Sequence, residues 1–324
     1  MDYEFPKPPR SLAGKVAIVT GAGAAGDGIG NGRATAILLA EDGCFVACVD
    51  RDIRLAQRTV EMIEFEAEAR TRTRPEALAE GGNTNTKPDP NNTPTTTIND
   101  KPLAIAIAGD VSIETSCKSI IDSTLAHFGR LDILINCVGV GGAPGTAVDV
   151  DMAAWASSMQ INVASMVMMS KYAIPAILSS NPADQVDPTW MYRGSIVNMG
   201  SVAGLKGGTP HLLYPTAKGA IVNMTRAMAA HHAGDGIRVN CVCPGMVYTP
   251  MMYAAGGGMS EEARQARKNR SLLKTEGNGW DVGCVIRFLA GPQARWLTGV
   301  VLPVDAGVTA AVGTDIPKSA SVNA

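Results

Sequence analysis

Seven short apolar runs, rich in β-branched residues, recur along the chain between more polar stretches. Because these runs are apolar throughout and do not alternate with polar residues, they are typical of parallel strands buried on both faces. Helical patterns such as GRATAILLAEDG and SCKSIIDSTLAHFG lie between most of them. The alternation predicts an α/β fold with a doubly wound, mostly parallel sheet. The predicted strands are KVAIVTG, CFVACVD, LAIAIAGDV, LDILINCVG, GSIVNMG, IRVNCVCPG and GVVLPVDAG.

Two polar stretches interrupt this rhythm. Residues 70–101 are rich in Thr, Asn, Pro and Gly and poor in apolar residues, so they are a predicted surface insertion. A second polar stretch, SSNPADQVDPTWMYR, precedes the strand at Gly194. The alternation resumes after each of them, so residues 1–324 are predicted to form a single domain with polar insertions. The small, polar residues 308–324 are a predicted C-terminal tail.

Composition narrows the functional classes. The 324 residues are 46% hydrophobic, which allows a large core, and the net charge of −2 offers no basic surface for nucleic acid or an anionic membrane. Seven cysteines lack the spacing of a metal site and are predicted to be reduced and buried. The N-terminus has no apolar signal core, and no apolar run reaches the roughly 18 residues of a membrane helix. These features predict a cytoplasmic protein without a metal.

A glycine-rich loop lies between the first predicted strand and the first predicted helix, in VAIVTGAGAAGDGIGNGRATAILLA. Glycine lets a backbone approach a pyrophosphate, whose charge the amides of a helix N-terminus can hold. The next predicted strand ends at Asp50, whose carboxylate can bind ribose hydroxyls and repel a 2′-phosphate. This pattern favours NAD over NADP, although Arg51 could stack on adenine or attract a 2′-phosphate.

A tyrosine and a lysine stand four residues apart in LLYPTAKGAIVNMT. At that spacing Tyr214 and Lys218 share one face of a helix and can converge on one point. Taken alone, the pair is better explained by solvated side chains on a helix surface.

Together, these motifs resemble the short-chain dehydrogenase/reductase family from Gly14 to Gly307. Ser201 precedes Tyr214 by thirteen residues and Lys218 follows it by four, as the family pattern requires. The resemblance implies a Rossmann fold, an NAD(P)-dependent reaction on a secondary alcohol or ketone, and a homodimer or homotetramer. The matching segments are TGAG…GNGRATA, Asp50, GDV, NCVG, Asn162, GSIVNMGSVAG, YPTAK, RVNCVCPGMVYT and LPVDAG.

The resemblance also implies catalytic roles. Tyr214 would exchange a proton with the substrate oxygen, and Ser201 would donate a hydrogen bond to that oxygen. A free phenol has a pKa near ~10, which a cationic Lys218 is predicted to lower while it also holds the nicotinamide ribose. Asn162 would organise a proton path behind the lysine. Alternatively, its amide bonds only the backbone of a helix.

The cofactor contacts that the resemblance implies are spread over the ends of several strands. The glycine loop is about five residues longer than the family pattern, so two registers are open. Either GNG at Gly30 to Gly32 or GIG at Gly28 to Gly30 takes the place beside the phosphates. The expected contacts are Gly21, Gly23, Gly28, Ile29, Gly30, Asp50, Arg51, Asp110, Val111, Asn136, Gly139, Tyr214, Lys218, Pro244, Gly245, Val247 and Thr249.

Residues 246–277 lie where this family carries a substrate lid. Their methionines, tyrosines and glycines predict an adaptable apolar cover, and hence a moderately large apolar or cyclic substrate. A methionine-rich stretch can also be core, and His211 can touch substrate or simply lie at the surface. Two other functions stay open on the same fold: non-redox chemistry at an NAD(H) site, and a cofactor-sensing binding module.

Overall fold

The computed structural model describes residues 7–79, 102–185, 192–254 and 258–311. Its sheet has seven parallel strands in the order β3-β2-β1-β4-β5-β6-β7. Each strand coincides with one of the seven apolar runs, so the predicted doubly wound α/β fold is confirmed. The strands are β1 Val16–Thr20, β2 Phe45–Asp50, β3 Ala104–Ala108, β4 Ile133–Asn136, β5 Gly194–Met199, β6 Ile237–Pro244 and β7 Val301–Val304.

Helices cover both faces of the sheet. Successive residues of β1 alternate between two apolar clusters: Ala17 and Val19 pack with α1 and α9, whereas Val16 and Ile18 pack with α3 and α5. This double burial explains why the strands carry no polar alternation. The helices are α1 Asn31–Glu41, α2 Ile53–Ala79, α3 Glu114–Phe128, α4 Met152–Met159, α5 Ser165–Ser180, α6 Leu213–His232, α7 Pro250–Tyr253, α8 Glu261–Lys268 and α9 Gly279–Ala290.

The strand order reverses between β1 and β4. The chain leaves β1 toward β2 and β3 on one side, and returns to β4 on the other. In a doubly wound sheet the loops after the two central strands separate at this point and leave a crevice at the carboxyl edge. The glycine-rich loop after β1 and the NCVG segment after β4 therefore border the same crevice.

The predicted insertion is only partly described. Helix α2 runs to Ala79 and takes in the beginning of residues 70–101, and residues 80–101 lie outside the described residues. Most of the predicted tail, residues 312–324, also lies outside them. The domain boundaries stay predictions.

A π-helical turn, Gln160–Ala164, joins α4 to α5 into one helical run, Met152–Ser180. Among the described helices this run is the one long and apolar enough, by length and composition, to cross a membrane. Core helices of soluble proteins meet the same criterion. Its side chains Met166, Met169 and Ala173 are buried in the apolar clusters against the sheet, as in a core helix.

Candidate active site

Tyr214 and Lys218 lie on the first turns of α6, and Lys218 is only 3% exposed. Its ammonium donates to the Met199 carbonyl at the end of β5 over 2.9 Å and lies 5.7 Å from the centre of the Tyr214 ring. Because Lys218 is buried this deeply, it does not belong to a solvated pair on the helix surface. The helix therefore brings both side chains to the carboxyl edge of the sheet.

Ser201 lies directly after β5, where it begins a short 3₁₀ turn and its Oγ accepts from the Ala203 amide at 3.2 Å. Burial raises the pKa of Tyr214, and the nearby Ser201 hydroxyl opposes that rise. Ser201 and Tyr214 thus lie close to each other beside the crevice.

The electrostatics of Tyr214 differ from the expectation that Lys218 lowers its pKa. In the structure the pKa of Tyr214 is raised, because desolvation of the phenol outweighs the other influences. The Lys218 ammonium is aimed at the Met199 carbonyl and lies over the tyrosine ring.

The pKa of Lys218 is also shifted strongly from its ordinary value. Burial lowers the pKa of the Lys218 ammonium to about 8. A negative charge on a neighbouring thiol would raise it again, and the three cysteines in question are Cys241, Cys137 and Cys243. The Cys241 and Cys243 sulfurs are 3.8 Å apart, and burial raises the pKa of Cys137 to about 12. Cys137 is thus a neutral thiol near neutral pH and offers the ammonium no countercharge. Sequence analysis treated these cysteines only as buried hydrophobes.

Asn162 is fully buried within the π-helical turn. Its Nδ2 donates to the Ser158 carbonyl and its Oδ1 accepts from the Val140 amide, both at 3.0 Å. A Cβ added to Gly139 would lie 3.2 Å from Asn162 Oδ1 and 3.2 Å from Lys218 Nζ. Asn162, Gly139 and Lys218 are therefore neighbours, as the resemblance implies, and Asn162 bonds a helix backbone as well. Its role in proton transfer stays a prediction.

The glycine-rich loop enters α1 at Gly30, and the helix begins at Asn31. A Cβ on Gly32 would lie 2.1 Å from the Gly21 carbonyl oxygen, so glycine is required where the helix crosses the end of β1. This close approach corresponds to the register that places GNG at the helix start. Gly28 instead lies against Pro250 and Tyr253 of α7.

Asp50 ends β2 beside this loop. Its two carboxylate oxygens accept from the amides of Gly23 and Asp52, each at 3.1 Å. A Cβ on Gly23 would lie 2.6 Å from one of these oxygens, so the loop needs glycine at this point too. Each oxygen keeps a lone pair for a ribose hydroxyl.

Arg51 and Asp110 follow the ends of β2 and β3. Hydrogen bonds from Ser112 lower the pKa of Asp110, and the charge of the exposed Arg51 lowers it further. The neighbouring Val111 is buried. The structure therefore brings the residues predicted at the adenine end together at one corner of the crevice.

The remaining predicted contacts have defined backbone or side-chain partners. Asn136 is 1% exposed, and its side-chain amide donates to Asn198 Oδ1 at 2.9 Å, so this side chain ties β4 to β5.

The predicted contacts after β6 lie on one continuous segment. Pro244 ends β6, and the Gly245 amide donates to the Val304 carbonyl. The Val247 carbonyl accepts from Arg267. Thr249 precedes α7 and is 7% exposed. Their contacts with a cofactor stay predictions.

The residues at the crevice fit a nicotinamide dinucleotide. Gly23 and Gly32 carry no side chain that could cover the backbone beside the N-terminus of α1. A pyrophosphate at this place would be stabilised by the backbone amides and by the helix dipole. Asp50 ends β2, the strand paired with β1, contacts the same loop through the Gly23 amide, and supplies acceptors.

Comparisons with known proteins agree with this geometry. A family model described as enoyl-(acyl carrier protein) reductase matches residues 84–309. The 2-(S)-hydroxypropyl-CoM dehydrogenase 3 of Xanthobacter autotrophicus is 33% identical over 92% of this chain and 98% of its own length. The chain belongs to the short-chain dehydrogenase/reductase family.

Other members support the same assignment. The meso-2,3-butanediol dehydrogenase of Serratia marcescens is 35% identical over 66% of this chain and 78% of its own length. A solved dehydrogenase/reductase from Sinorhizobium meliloti 1021 is 25% identical, with a TM-score of 0.70 over 93% of this chain and 97% of its own. Relatives in this family are oxidoreductases that use a nicotinamide cofactor, NAD(P).

Ion pairs hold the segment where short-chain dehydrogenases carry a lid. Glu276 is buried between Arg264 and Arg267, with nitrogen–oxygen distances of 3.0 and 2.9 Å. The Arg264 guanidinium lies 3.8 Å from the centre of the Tyr248 ring, which packs on Tyr253 with ring centres 5.0 Å apart. The sequence spacing of Arg264 and Arg267 indicates that they share one helix face. It does not indicate their common partner, because Glu276 lies outside that helix.

His211 is exposed, and its Nδ1 accepts from the Gly145 amide at 3.1 Å. This bond ties the loop before α6 to the loop after β4. The surface interpretation therefore accounts for the histidine without a substrate.

Proposed function

We propose that the protein is an NAD(P)-dependent dehydrogenase that moves a hydride between nicotinamide and the carbon of a secondary alcohol or ketone. The observation that carries the proposal is the grouping of Tyr214 with the buried Lys218, whose ammonium lies 5.7 Å from the centre of the tyrosine ring, and with Ser201, whose hydroxyl acts on the pKa of the phenol. This arrangement can deliver or remove one proton at a substrate oxygen.

The residues act at that oxygen in either direction. Bound nicotinamide supplies the carbon that gives or takes the hydride. Tyr214 keeps its proton near neutral pH, because burial raises its pKa, and is a competent donor to the oxygen of a ketone undergoing reduction. Ser201 orients that oxygen and stabilises its developing charge. Alcohol oxidation needs the phenolate, so it is expected to require higher pH than reduction.

We propose that NAD is preferred over NADP. The support is the Asp50 carboxylate, which two backbone amides hold at the end of β2. A fixed anion at this place accepts hydrogen bonds from ribose hydroxyls and repels a 2′-phosphate. Arg51 is exposed, and its charge acts on Asp110, which offsets its attraction for a phosphate.

The proposed substrate is a moderately large apolar or cyclic alcohol or ketone. Apolar side chains remain exposed on three segments that follow strands at the carboxyl edge of the sheet, the edge that carries the catalytic residues. These are Val140 after β4, Leu205 and Leu212 before α6, and Met251 in α7. Such a surface favours an apolar substrate body.

We also propose a cytoplasmic homodimer or homotetramer. Phe288 is 41% exposed and Trp296 is 88% exposed, both at the α9 end of the molecule, and large exposed apolar side chains are typical of interfaces. Light scattering after size-exclusion chromatography measures the mass of the assembly.

The experiment that tests the function is turnover of purified protein, followed by nicotinamide absorbance. Cyclic and acyclic secondary alcohols are offered with NAD and NADP, and the matching ketones with the reduced cofactors. The proposal expects turnover with at least one apolar pair and a higher kcat/KM with NAD(H). Tight cofactor binding without turnover across the panel would instead indicate non-redox chemistry or a binding role.

A further inference from the structure

Arg33, the third residue of α1, is fully buried, and all five of its N–H donors are used. Nε donates to Thr59 Oγ1 at 3.0 Å, and one Nη2 bond reaches the Leu55 carbonyl at 3.4 Å. The other three bonds go to the glycine-rich loop: Nη1 donates to the Gly26 and Gly28 carbonyls at 2.7 Å each, and Nη2 to the Ala24 carbonyl at 3.0 Å. Among the described residues no carboxylate is paired with it. Its charge is therefore held by peptide dipoles.

The planarity of the peptide bond determines which way the amides of the loop point. In a trans peptide the carbonyl and the next residue's N–H point in opposite directions. Because the carbonyls of Ala24, Gly26 and Gly28 face Arg33, the N–H groups of the residues after them face away from it. Those residues are Ala25, Asp27 and Ile29.

None of these three N–H groups has a hydrogen-bond partner within residues 7–79, 102–185, 192–254 and 258–311. The Gly28 amide, by contrast, is occupied by the Ala25 carbonyl at 3.2 Å. Unpaired backbone N–H groups beside a helix N-terminus favour an anion.

We propose that Arg33 is the positioning residue of this lengthened glycine loop. By drawing three carbonyls inward it turns the amides of Ala25, Asp27 and Ile29 toward the anionic diphosphate of a dinucleotide, and it places its own charge beneath them. Without it the three carbonyls would turn outward to water, because they would lose their donors, and would face the diphosphate with their negative ends. The inference rests on the proposed function, since it takes the ligand to be a nicotinamide dinucleotide.

The tip of the same loop offers a matched control. Asp27 is paired with Arg58 of α2 at 2.7 Å, and both side chains are exposed. An exposed pair of this kind contributes little. Replacing Arg58 removes a cation that pairs with the same loop, without releasing any of the three carbonyls.

The test compares ADP with adenosine, because only ADP carries the diphosphate, by calorimetric titration of Arg33→Met, Arg58→Met and the unaltered protein. For Arg33→Met we expect the Kd for ADP and the KM for NADH to rise about tenfold or more, and the Kd for adenosine to change by less than about twofold. We expect kcat at saturating NADH to change by less than about threefold, because Arg33 does not touch the reacting atoms. Arg58→Met is expected to stay within about twofold throughout.

Two milder variants keep the test decisive if Arg33→Met does not fold. Arg33→Lys retains the charge with fewer donors, and Thr59→Val removes the hydroxyl that orients Arg33 Nε. Each is expected to weaken ADP about twofold to fivefold and to leave adenosine unchanged.

The inference is overturned if a folded variant at position 33 binds ADP as tightly as the unaltered protein. It is also overturned if adenosine and ADP weaken equally, which would show a general loss of structure. Failure of the proposed function has a different signature: the unaltered protein would bind ADP but turn over no alcohol or ketone, and the effect of Arg33 on ADP could still be measured.

Discussion

Two buried charges, one at each edge of the parallel sheet, are compensated to different extents. At the amino edge Asp132, just before β4, accepts from Lys15 Nζ at 3.0 Å, from Arg130 at 2.8 and 2.7 Å, and from the Val16 amide at 2.9 Å. At the carboxyl edge Lys218 is as deeply buried, and its one hydrogen-bond acceptor among the described residues is the Met199 carbonyl.

The difference separates a structural charge from a functional one. A buried carboxylate with four donors has recovered in the protein what it lost by leaving water. A buried ammonium with one carbonyl has not, and its lowered pKa of about 8 is the result. Incompletely compensated charge costs stability and is retained where chemistry needs it.

Among the variants that remove a charge, the largest effect is expected at Lys218. Lys218→Met should lower kcat by about 100-fold or more, since the phenolate of Tyr214 and the nicotinamide ribose both lose their cation. Steady-state turnover with saturating cofactor measures this. Lys118→Met is the control, because that lysine is exposed on α3 beside Asp122, and its turnover should equal that of the unaltered protein.

A smaller effect is expected at the adenine end of the same edge. Asp50→Ser removes the anion but keeps a hydroxyl acceptor for the Gly23 amide. The ratio of kcat/KM for NADP to that for NAD should rise about 10-fold to 100-fold, because a 2′-phosphate no longer meets a carboxylate. An unchanged ratio would show that Arg51, and not Asp50, decides cofactor choice.

The amino edge should respond in stability alone. Asp132→Asn leaves Lys15 and Arg130 without their anion, so the free energy of unfolding should fall by about 2 kcal/mol. Urea denaturation measures the change. Turnover of the folded variant should stay within about twofold; a large loss of kcat with normal stability would contradict the division between the two edges.

The smallest effect is the pH dependence of the Lys218→Met variant's stability. Below pH 8 Lys218 is charged in both states and the folded state carries the full desolvation cost, so the variant should be about 1–2 kcal/mol more stable than the unaltered protein. Between about 8 and 10.5 the unfolded lysine binds more protons than the folded one, so the unaltered protein gains stability as pH rises. The advantage of the variant should therefore shrink from pH 7 to pH 10. An advantage that grows would contradict the lowered pKa.

The fold was largely predictable because its signal is local. Apolar runs mark the seven strands, and burial on both faces leaves no polar alternation to confuse them. The spacing of Tyr214 and Lys218 is likewise local, since one helix carries both.

Features that depend on distant residues were not predictable in the same way. Sequence analysis gave Arg33 no role, and nothing in its neighbours along the chain shows that it would hold three loop carbonyls. The cysteines around Lys218 come from β6 and from the loop after β4, and the Asn136–Asn198 bond joins two strands. The direction of the Tyr214 pKa shift was wrong in sequence analysis because burial, the largest influence on this phenol, is a property of the folded chain.

The most direct test of the catalytic account is Tyr214→Phe, with NADH binding measured by fluorescence and turnover measured on the same preparation. The substitution removes one oxygen and the proton it carries, and leaves the ring that packs near Lys218. The account predicts a Kd for NADH within about twofold and a kcat lower by about 1,000-fold or more. Turnover retained within about tenfold, in a variant that binds NADH normally, would contradict the assignment of Tyr214 as the group that transfers the proton.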